Sequence, residues 1–254
     1  MTHQNIVSRD EWVAAQKAHL VREKEFTQFR DELSAERRAL PWVKVDKRYE
    51  FDSATGRVPF ADLFRGKSQL FVQHVMQGPG QPLQCVGCAL GVDHLEGLLP
   101  HLENHDVSVV AIARATSAEL EALRSKMQWR TPFYSSFGSD FNYDYGVSFK
   151  PEDLAAQRAF YNYTICDPGI EDIAGNSVFY RDSSGDIFHT YSNYARGGED
   201  FMGIYRVLEV MPLGRNETGP YHSLTDWARP HNMYGKGGEV APTGRYTPPV
   251  SCCM

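Results

Sequence analysis

The segments Gln69-Leu-Phe-Val-Gln-His-Val-Met76 and Gln84-Cys-Val-Gly-Cys88 are the most informative part of this sequence. The first is an apolar run rich in β-branched and aromatic residues, which predicts a strand, and Gly78-Pro-Gly-Gln-Pro82 after it predicts a turn. The two cysteines then open a helix-like segment, Ala89 to Leu99. We therefore predict a strand, a loop and a helix, with both cysteines where the helix begins.

A cysteine at the start of a helix has unusual chemistry. The first backbone N–H groups of a helix lack partners and its dipole favours negative charge there, so a thiolate is stabilised over a thiol. In Cys-X-X-Cys motifs the pKa of the first thiol typically falls from about 8.5 to between about 3.5 and 7.5. We predict that Cys85 is a nucleophile and that Cys88 resolves the mixed disulfide it forms.

Two other interpretations of the cysteine pair remain open from the sequence alone. The pair could be half of a metal site, or it could be packed in the core without a chemical role. A zinc knuckle needs a second pair of cysteines or histidines at matched spacing. The remaining cysteines are Cys166, Cys252 and Cys253, so the sequence contains no second Cys-X-X-Cys motif.

The composition narrows the class of protein. The chain has 254 residues, 42% of them apolar, and a net charge of −6, which suits a globular domain with extensions and argues against nucleic acid as a partner. No apolar run approaches the roughly 18 residues of a membrane span, and no signal-peptide pattern stands at the N-terminus. An odd number of cysteines, 5 in all, makes a poor disulfide framework. We expect a soluble cytoplasmic protein that does not act at a membrane.

Three regions follow along the chain. Ser8-Arg-Asp-Glu11 has the form of a capping box, and apolar residues at helical spacing continue to Leu40, so residues 1–40 are predicted as an N-terminal helical arm. This arm could pack on the domain or pair with a second copy in a homodimer. Residues 41–210 are predicted as the main domain, with an insertion at about 150–175. Residues 211–254, rich in proline and glycine, are predicted as an irregular C-terminal extension.

The main domain shows alternating strand and helix patterns. Tyr49 to Phe60 and Asn176 to Tyr191 predict two hairpins, Val107 to Ile112 a strand and Ser117 to Met127 a helix. Strand, helix, strand, helix in this order implies parallel pairing with right-handed crossovers. The cysteines and Arg114 then lie at the carboxyl ends of strands, where open α/β sheets place their sites.

Several motifs resemble those of one family. They are Leu40-Pro-Trp-Val43, Phe137-Gly-Ser-Asp-Phe-Asn-Tyr-Asp144, Ser177-Val-Phe-Tyr-Arg-Asp182 and Phe188-His-Thr-Tyr-Ser192. In this order they resemble a bacterial and fungal family of unknown function, described as predicted thioredoxin-like dithiol-disulfide oxidoreductases. The resemblance implies an α/β fold of the peroxiredoxin-like branch of the thioredoxin fold, with a central mixed sheet and flanking helices. It also implies a protein or small-molecule thiol or disulfide as partner, and no cofactor.

One departure from thioredoxins keeps the metal interpretation open. Thioredoxins place a cis-proline opposite the Cys-X-X-Cys motif, and here Gly175-Asn-Ser177 holds that place. Copper-handling relatives of the fold use two cysteines and a histidine. The alternative is therefore a Cu(I) or Zn site, or a mononuclear copper enzyme, and a non-catalytic binding module is a further alternative. A metal site would use Cys85 and Cys88 with His94 or His189.

Other polar residues are candidates for supporting roles. His94 is six residues beyond Cys88, about 120° round the helix, which argues against chelation from one face. Arg114 could stabilise the Cys85 thiolate or hold an anionic substrate. The last cysteines, Cys252 and Cys253, could relay electrons or metal to the buried pair. Further candidates are His74 as a ligand, Asp93 as a proton acceptor for Cys88, and Asp140 with Asp144 as a cation site.

Overall fold

The computed structural model describes residues 5–81 and 84–249, and the chain divides into two compact units, residues 1–41 and 42–254. The first unit is one helix, α1 (Arg9–Arg38). Ser8 Oγ accepts the Glu11 N–H at 3.3 Å, and the Glu11 carboxylate accepts the Ser8 N–H at 2.9 Å. The predicted capping box is thus present and satisfies two N–H groups that a bare helix end would leave without partners.

The second unit contains the remaining strands and helices. The strands are β1 (Val43–Lys44), β2 (Glu50–Ser53), β3 (Gly56–Pro59), β4 (Gln69–His74), β5 (Gln84–Cys85), β6 (Val107–Ala113), β7 (Phe133–Ser135), β8 (Ala159–Tyr161), β9 (Thr164–Cys166), β10 (Gly175–Arg181), β11 (Ile187–Tyr194), β12 (Glu239–Val240) and β13 (Arg245–Thr247). The helices are α2 (Val86–Asn104), α3 (Ser117–Lys126), α4 (Phe141–Asp144), α5 (Pro151–Ala155) and α6 (Gly203–Val210).

The topology of the main sheet identifies the fold. Its eight strands lie in the order β1-β11-β10-β4-β6-β7-β2-β3, with β4, β6 and β7 parallel and the other pairs antiparallel. Helix α2 connects β4 to β6, and the hairpin β10–β11 lies against the other edge of β4. A parallel strand–helix–strand unit followed by an antiparallel hairpin on the first strand is the thioredoxin arrangement. The predicted thioredoxin-like α/β fold with a central mixed sheet is confirmed.

The two faces of this sheet carry different cores. Side chains of β6 alternate between them because successive residues of a strand point to opposite faces. Val110 and Ile112 pack into an aromatic cluster with Phe60, Phe141 and Phe179. On the opposite face, a second cluster includes Cys85, Cys88, Ala111 and Ala113. Because the alanines are small, α2 and its cysteines lie close to the sheet.

The structure also shows elements that the sequence patterns did not indicate. Strand β7 was not predicted, and the region of about 150–175, predicted as an insertion, contains α5 and the β8–β9 hairpin. The C-terminal extension contributes β12 and β13, and β13 pairs with β5 beside the cysteines. None of the helices in the described part of the chain is long and apolar enough to cross a membrane.

Candidate functional site

The two cysteines lie at the first turn of α2. Cys85 is the residue that caps this helix, and its Sγ accepts the backbone N–H of Cys88 at 3.3 Å. The Sγ of Cys88 accepts the backbone N–H of Met76, also at 3.3 Å. Both residues are free cysteines, with exposed fractions of 6% for Cys85 and 3% for Cys88. The prediction that the pair stands at the start of the helix is confirmed.

The same contacts shift the pKa values of the two thiols in opposite directions. The hydrogen bond from the Cys88 thiol is the largest effect that lowers the pKa of Cys85, to about 7, and the Cys88 and Gly87 backbone N–H groups and Arg245 act in the same direction. Donating that hydrogen bond, together with burial, raises the pKa of Cys88 well above its ordinary value. Cys85 is therefore the thiol that ionises first, near neutral pH, while Cys88 keeps its proton.

Arg245 is the cation that the fold brings to this pair. It lies on β13 and is the register partner of Cys85 on β5. Its guanidinium donates a hydrogen bond to the carbonyl of Met76. The neighbouring Gly244 accepts the N–H of Val86 at 2.9 Å. A distant part of the sequence thus supplies the positive charge beside the nucleophile.

We call residues 222–249 the C-terminal strap. It is anchored to α2 through Asp93, whose Oδ1 accepts hydrogen bonds at 2.7 Å from both Trp129 Nε1 and His231 Nδ1. Val86 packs with Ala228 and other strap residues in a separate apolar cluster. Asp93 was predicted as a proton acceptor for Cys88, and the structure places its carboxylate in this anchor instead.

A cavity of about 710 Å³ adjoins the cysteines. The buried residues Cys85, Cys88 and Met76 line it, and its apolar walls come from β4, α2, the segment before β10 and the strap (Phe71, Leu95, Ile170, Ile173 and Leu224). Exposed residues also line it, among them Ala195 and His222, so it reaches the surface. Its volume lies within the range of about 300–1,000 Å³ that is typical of small-molecule sites.

Gln73 is a polar residue of this cavity that the sequence analysis missed. Its Nε2 donates to the carbonyl of Cys88 at 3.1 Å, which fixes the orientation of the amide because a carbonyl can only accept. Its Oε1 is buried and has no hydrogen-bond partner within residues 5–81 and 84–249. The available signal was a pair of polar residues, Gln73 and His74, directly after the apolar residues of the predicted strand.

Arg114 does not join the cysteines. Its guanidinium donates two hydrogen bonds to the buried Asp172, at 2.7 and 2.8 Å, and one to the hydroxyl of Tyr143 at 2.9 Å. Arg114 is also absent from the residues that line the cavity. Its predicted roles beside the Cys85 thiolate or on a substrate anion are not supported, and the structure offers Arg245 for the first of them.

The histidines predicted as metal ligands have other partners. The Nδ1 of His94 lies 2.7 Å from the carbonyl of Leu90, and its Nε2 accepts the N–H of Ile204 at 3.1 Å, so both ring nitrogens are engaged. His189 Nε2 lies 2.7 Å from Ser192 Oγ. Within residues 5–81 and 84–249 no three side chains of histidine, cysteine, aspartate or glutamate are grouped to hold a metal ion. The predicted Cu(I) or Zn ligand set of Cys85, Cys88 and His94 or His189 is not assembled.

His74 belongs to a buried polar chain instead. Its Nε2 lies 2.9 Å from Ser177 Oγ, which is 2.8 Å from Ser192 Oγ, and His189 completes the chain. Burial lowers the pKa of His74 to about 3, so its ring is neutral at physiological pH. Gly175, the first residue of the segment predicted at the place of the thioredoxin cis-proline, pairs with His74 across β10 and β4. A Cβ at Gly175 would lie 2.7 Å from the Tyr194 ring, so the ring requires glycine there.

The remaining candidates lie elsewhere. Lys47 Nζ binds the carboxylates of Asp140 and Asp144 at 2.8 and 2.6 Å, so the predicted cation site is occupied by a lysine of the same chain. Cys252 and Cys253 lie outside the described residues, and their predicted role as a relay stays a prediction.

Solved structures similar to this chain include proteins with peroxiredoxin names. Peroxidoxin BcpB from Mycobacterium tuberculosis is 13% identical, with a TM-score of 0.40 over 64% of this chain and 94% of that one. Thioredoxin peroxidase I from Plasmodium yoelii is 12% identical, with a TM-score of 0.40 over 66% and 84%. PrxQ from Xylella fastidiosa is 11% identical, with a TM-score of 0.39 over 63% and 88%. Because these sequence identities and TM-scores are low, the thioredoxin-like fold is assigned from the strand order of the main sheet and not from these similarities.

The sequence comparisons identify the family. A search of the curated proteins gives no significant match. A family model described as "bacterial protein of unknown function (DUF899)" matches residues 1–234, from the start of the chain into the C-terminal strap. The match covers α1, the eight-stranded sheet and both residues of the Cys-X-X-Cys pair, and the chain is therefore a member of the DUF899 family.

Proposed function

We propose that this protein is a thiol–disulfide oxidoreductase that uses Cys85 as nucleophile and Cys88 as resolving thiol. The observation that carries the proposal is the divided acidity of the pair. The pKa of Cys85 is lowered to about 7, and that of Cys88 is raised above its ordinary value. The thiolate is the reactive form of cysteine, so one member of the pair is active at neutral pH while the other keeps its proton.

The reaction proceeds in two exchanges. The Cys85 thiolate attacks one sulfur of a substrate disulfide, forms a mixed disulfide and releases the other sulfur as a thiolate. Cys88 then loses its proton to that released thiolate or to water and attacks Cys85 Sγ. The second substrate sulfur leaves, and Cys85 and Cys88 are joined. Two electrons have passed from the protein to the substrate, and an external thiol restores the reduced pair.

The surrounding groups support each step. The N–H of Cys88 and the charge of Arg245 stabilise the attacking thiolate of Cys85. Once Cys85 has entered the mixed disulfide it is no longer negative, so its effect of raising the pKa of Cys88 disappears. Cys88 therefore becomes more acidic at the stage when it has to attack.

The first experiment traps the mixed disulfide. In a background with Cys252→Ser and Cys253→Ser, the Cys88→Ser variant should accumulate a mixed disulfide at Cys85 detectable by mass spectrometry, and Cys85→Ser should form none. The matched control is Cys166→Ser, because Cys166 is a free cysteine on β9 that does not line the cavity. It should react like the background protein. An active Cys85→Ser variant would overturn the proposal.

A second measurement gives the reduction potential of the pair. The background protein is equilibrated in glutathione buffers, and its free thiols are alkylated and counted by mass. We expect one reversible two-electron transition between about −270 and −120 mV, the range of thioredoxin-like dithiols. If no disulfide between Cys85 and Cys88 forms in any buffer, the proposed mechanism fails.

A further inference from the structure

We infer that the substrate is a low-molecular-weight disulfide that carries a hydrogen-bond donor, which the Oε1 of Gln73 accepts. This inference rests on the proposed function and specifies its substrate class. Three observations carry it: the strap beside Cys85, the shape of the cavity and the unpartnered oxygen of Gln73.

The strap occupies backbone that an extended polypeptide could otherwise use. An extended peptide binds a protein most simply by adding a strand to a sheet edge. Beside the nucleophile, β13 already pairs with β5, and Gly244 accepts the N–H of Val86. A Cβ on Gly244 would lie only 3.8 Å from Cys85 Sγ, so the strap backbone passes directly over the thiolate. A protein loop cannot pair with this edge of β5 while the strap is in place.

The cavity remains as the route by which a substrate disulfide reaches the two cysteines. Cys85 and Cys88 are almost completely buried, yet both line a space of about 710 Å³ that extends to exposed residues such as Arg196 and Pro242. A small molecule fits into such a volume, whereas a disulfide within a folded protein would have to bring its flanking chain in as well.

Gln73 gives the cavity a preference for ligands that donate a hydrogen bond. An amide oxygen that is buried without a partner is unfavourable, and a ligand that donates a hydrogen bond to it removes part of that penalty. The Nε2 of the same amide is held by the carbonyl of Cys88, so the oxygen cannot exchange places with the nitrogen. The preferred ligand therefore has an N–H or O–H group near its reacting sulfur.

The test compares three disulfides in a single turnover. The full-length protein with Cys252→Ser and Cys253→Ser is reduced and then mixed with bis(2-hydroxyethyl) disulfide, dipropyl disulfide or insulin. The first two have equal numbers of heavy atoms and differ in a donor group. Oxidation of the Cys85–Cys88 pair is followed by quenched alkylation and mass. Each rate is divided by the rate of the same disulfide with dithiothreitol, which removes differences in intrinsic reactivity.

We expect the normalised rate with insulin to be at least a hundredfold below that with bis(2-hydroxyethyl) disulfide. We also expect Gln73→Met to reduce the ratio of the hydroxyethyl to the propyl rate about tenfold, because it removes the acceptor at similar volume. The matched control is Gln84→Met, the same change at a buried residue that does not line this cavity, which should leave the ratio unchanged.

The outcomes separate this inference from the proposed function. If insulin oxidises the pair as fast as the small disulfides do, the substrate class is wrong while the oxidoreductase function stands. If Gln73→Met leaves the ratio unchanged, Gln73 does not select the substrate. If none of the three disulfides oxidises the pair, the proposed function itself fails.

Discussion

One face of the central sheet is packed with aromatic rings, whereas the other carries the cysteines and a cavity. Two adjacent residues of β4 show this contrast. His74 points to the face where Phe141, Phe179 and other rings pack closely, and its own ring lies 5.8 Å from that of Phe141. Gln73 points to the face with the cysteines, the small residues of β6 and the cavity. Each has one buried polar atom without a partner within the described ranges 5–81 and 84–249.

The difference shows where stability and reactivity reside. On the aromatic face, aromatic rings fill the space beside β4, and the buried His74 remains neutral because burial disfavours its charged form. On the cysteine face, alanines and glycines leave room for a cavity, and the buried charge of the Cys85 thiolate is balanced by backbone N–H groups and by Arg245. The same strand therefore supports a packed core on one side and a reactive site on the other.

The largest effect that we expect concerns the aromatic face and acid. The pKa of His74 is lowered to about 3, so between pH 6.5 and 3 the unfolded chain binds a proton that the folded protein does not. Stability therefore falls as the pH falls through this window, by up to about 1.4 kcal/mol per pH unit from this residue. Urea unfolding of the wild type and of His74→Gln from pH 7 to pH 4 should show a shallower pH dependence in the variant. Parallel curves would show that His74 is not buried as a neutral ring.

A smaller effect is expected on the reactivity of Cys85, for which Arg245 is the test residue and Arg114 the control. Arg245→Gln removes a positive charge beside Cys85, so the pKa of Cys85 should rise and its alkylation by iodoacetamide at pH 7 should slow by about three- to tenfold. Arg114→Gln removes the same charge at a residue paired with Asp172 and should leave the alkylation profile of Cys85 unchanged. Circular dichroism checks that both variants are folded. Equal slowing in the two would mean that Arg245 has no special role.

The smallest effect distinguishes two glycines of α2. A Cβ at Gly91 would lie 2.6 Å from Gln73 Nε2, so Gly91→Ala displaces the amide from the carbonyl of Cys88 and should cost about 1 kcal/mol of unfolding free energy. A Cβ at Gly97 meets no atom within 4 Å, and Gly97→Ala should stabilise the helix by about 0.5–1 kcal/mol. Urea unfolding of both variants measures the difference. Stabilisation by both substitutions would mean that Gln73 is not held by the contact we describe.

Local sequence patterns were sufficient for the order of the elements. The capping box at Ser8, the apolar strand before the cysteines and the two hairpins were all predicted, because each depends on residues close together in the chain. The position of Cys85 at the start of α2 followed for the same reason. The short strand β7 and the β8–β9 hairpin were missed, since three-residue strands have too little periodicity to be recognised.

Residues close together in the chain predicted that a Cys-X-X-Cys pair opens a helix after a buried strand of a thioredoxin-like sheet. The residues that surround this pair come from distant segments and are known only from the folded structure. Arg245 is 160 residues from Cys85 in a segment without periodicity, and Arg114, the nearer candidate, is bound by Asp172. Pairing of β13 with β5 depends on contacts between distant backbone segments, and burial of Gln73 depends on how closely α2 approaches the sheet. Neither leaves a local pattern in the chain, because both arise from packing between elements.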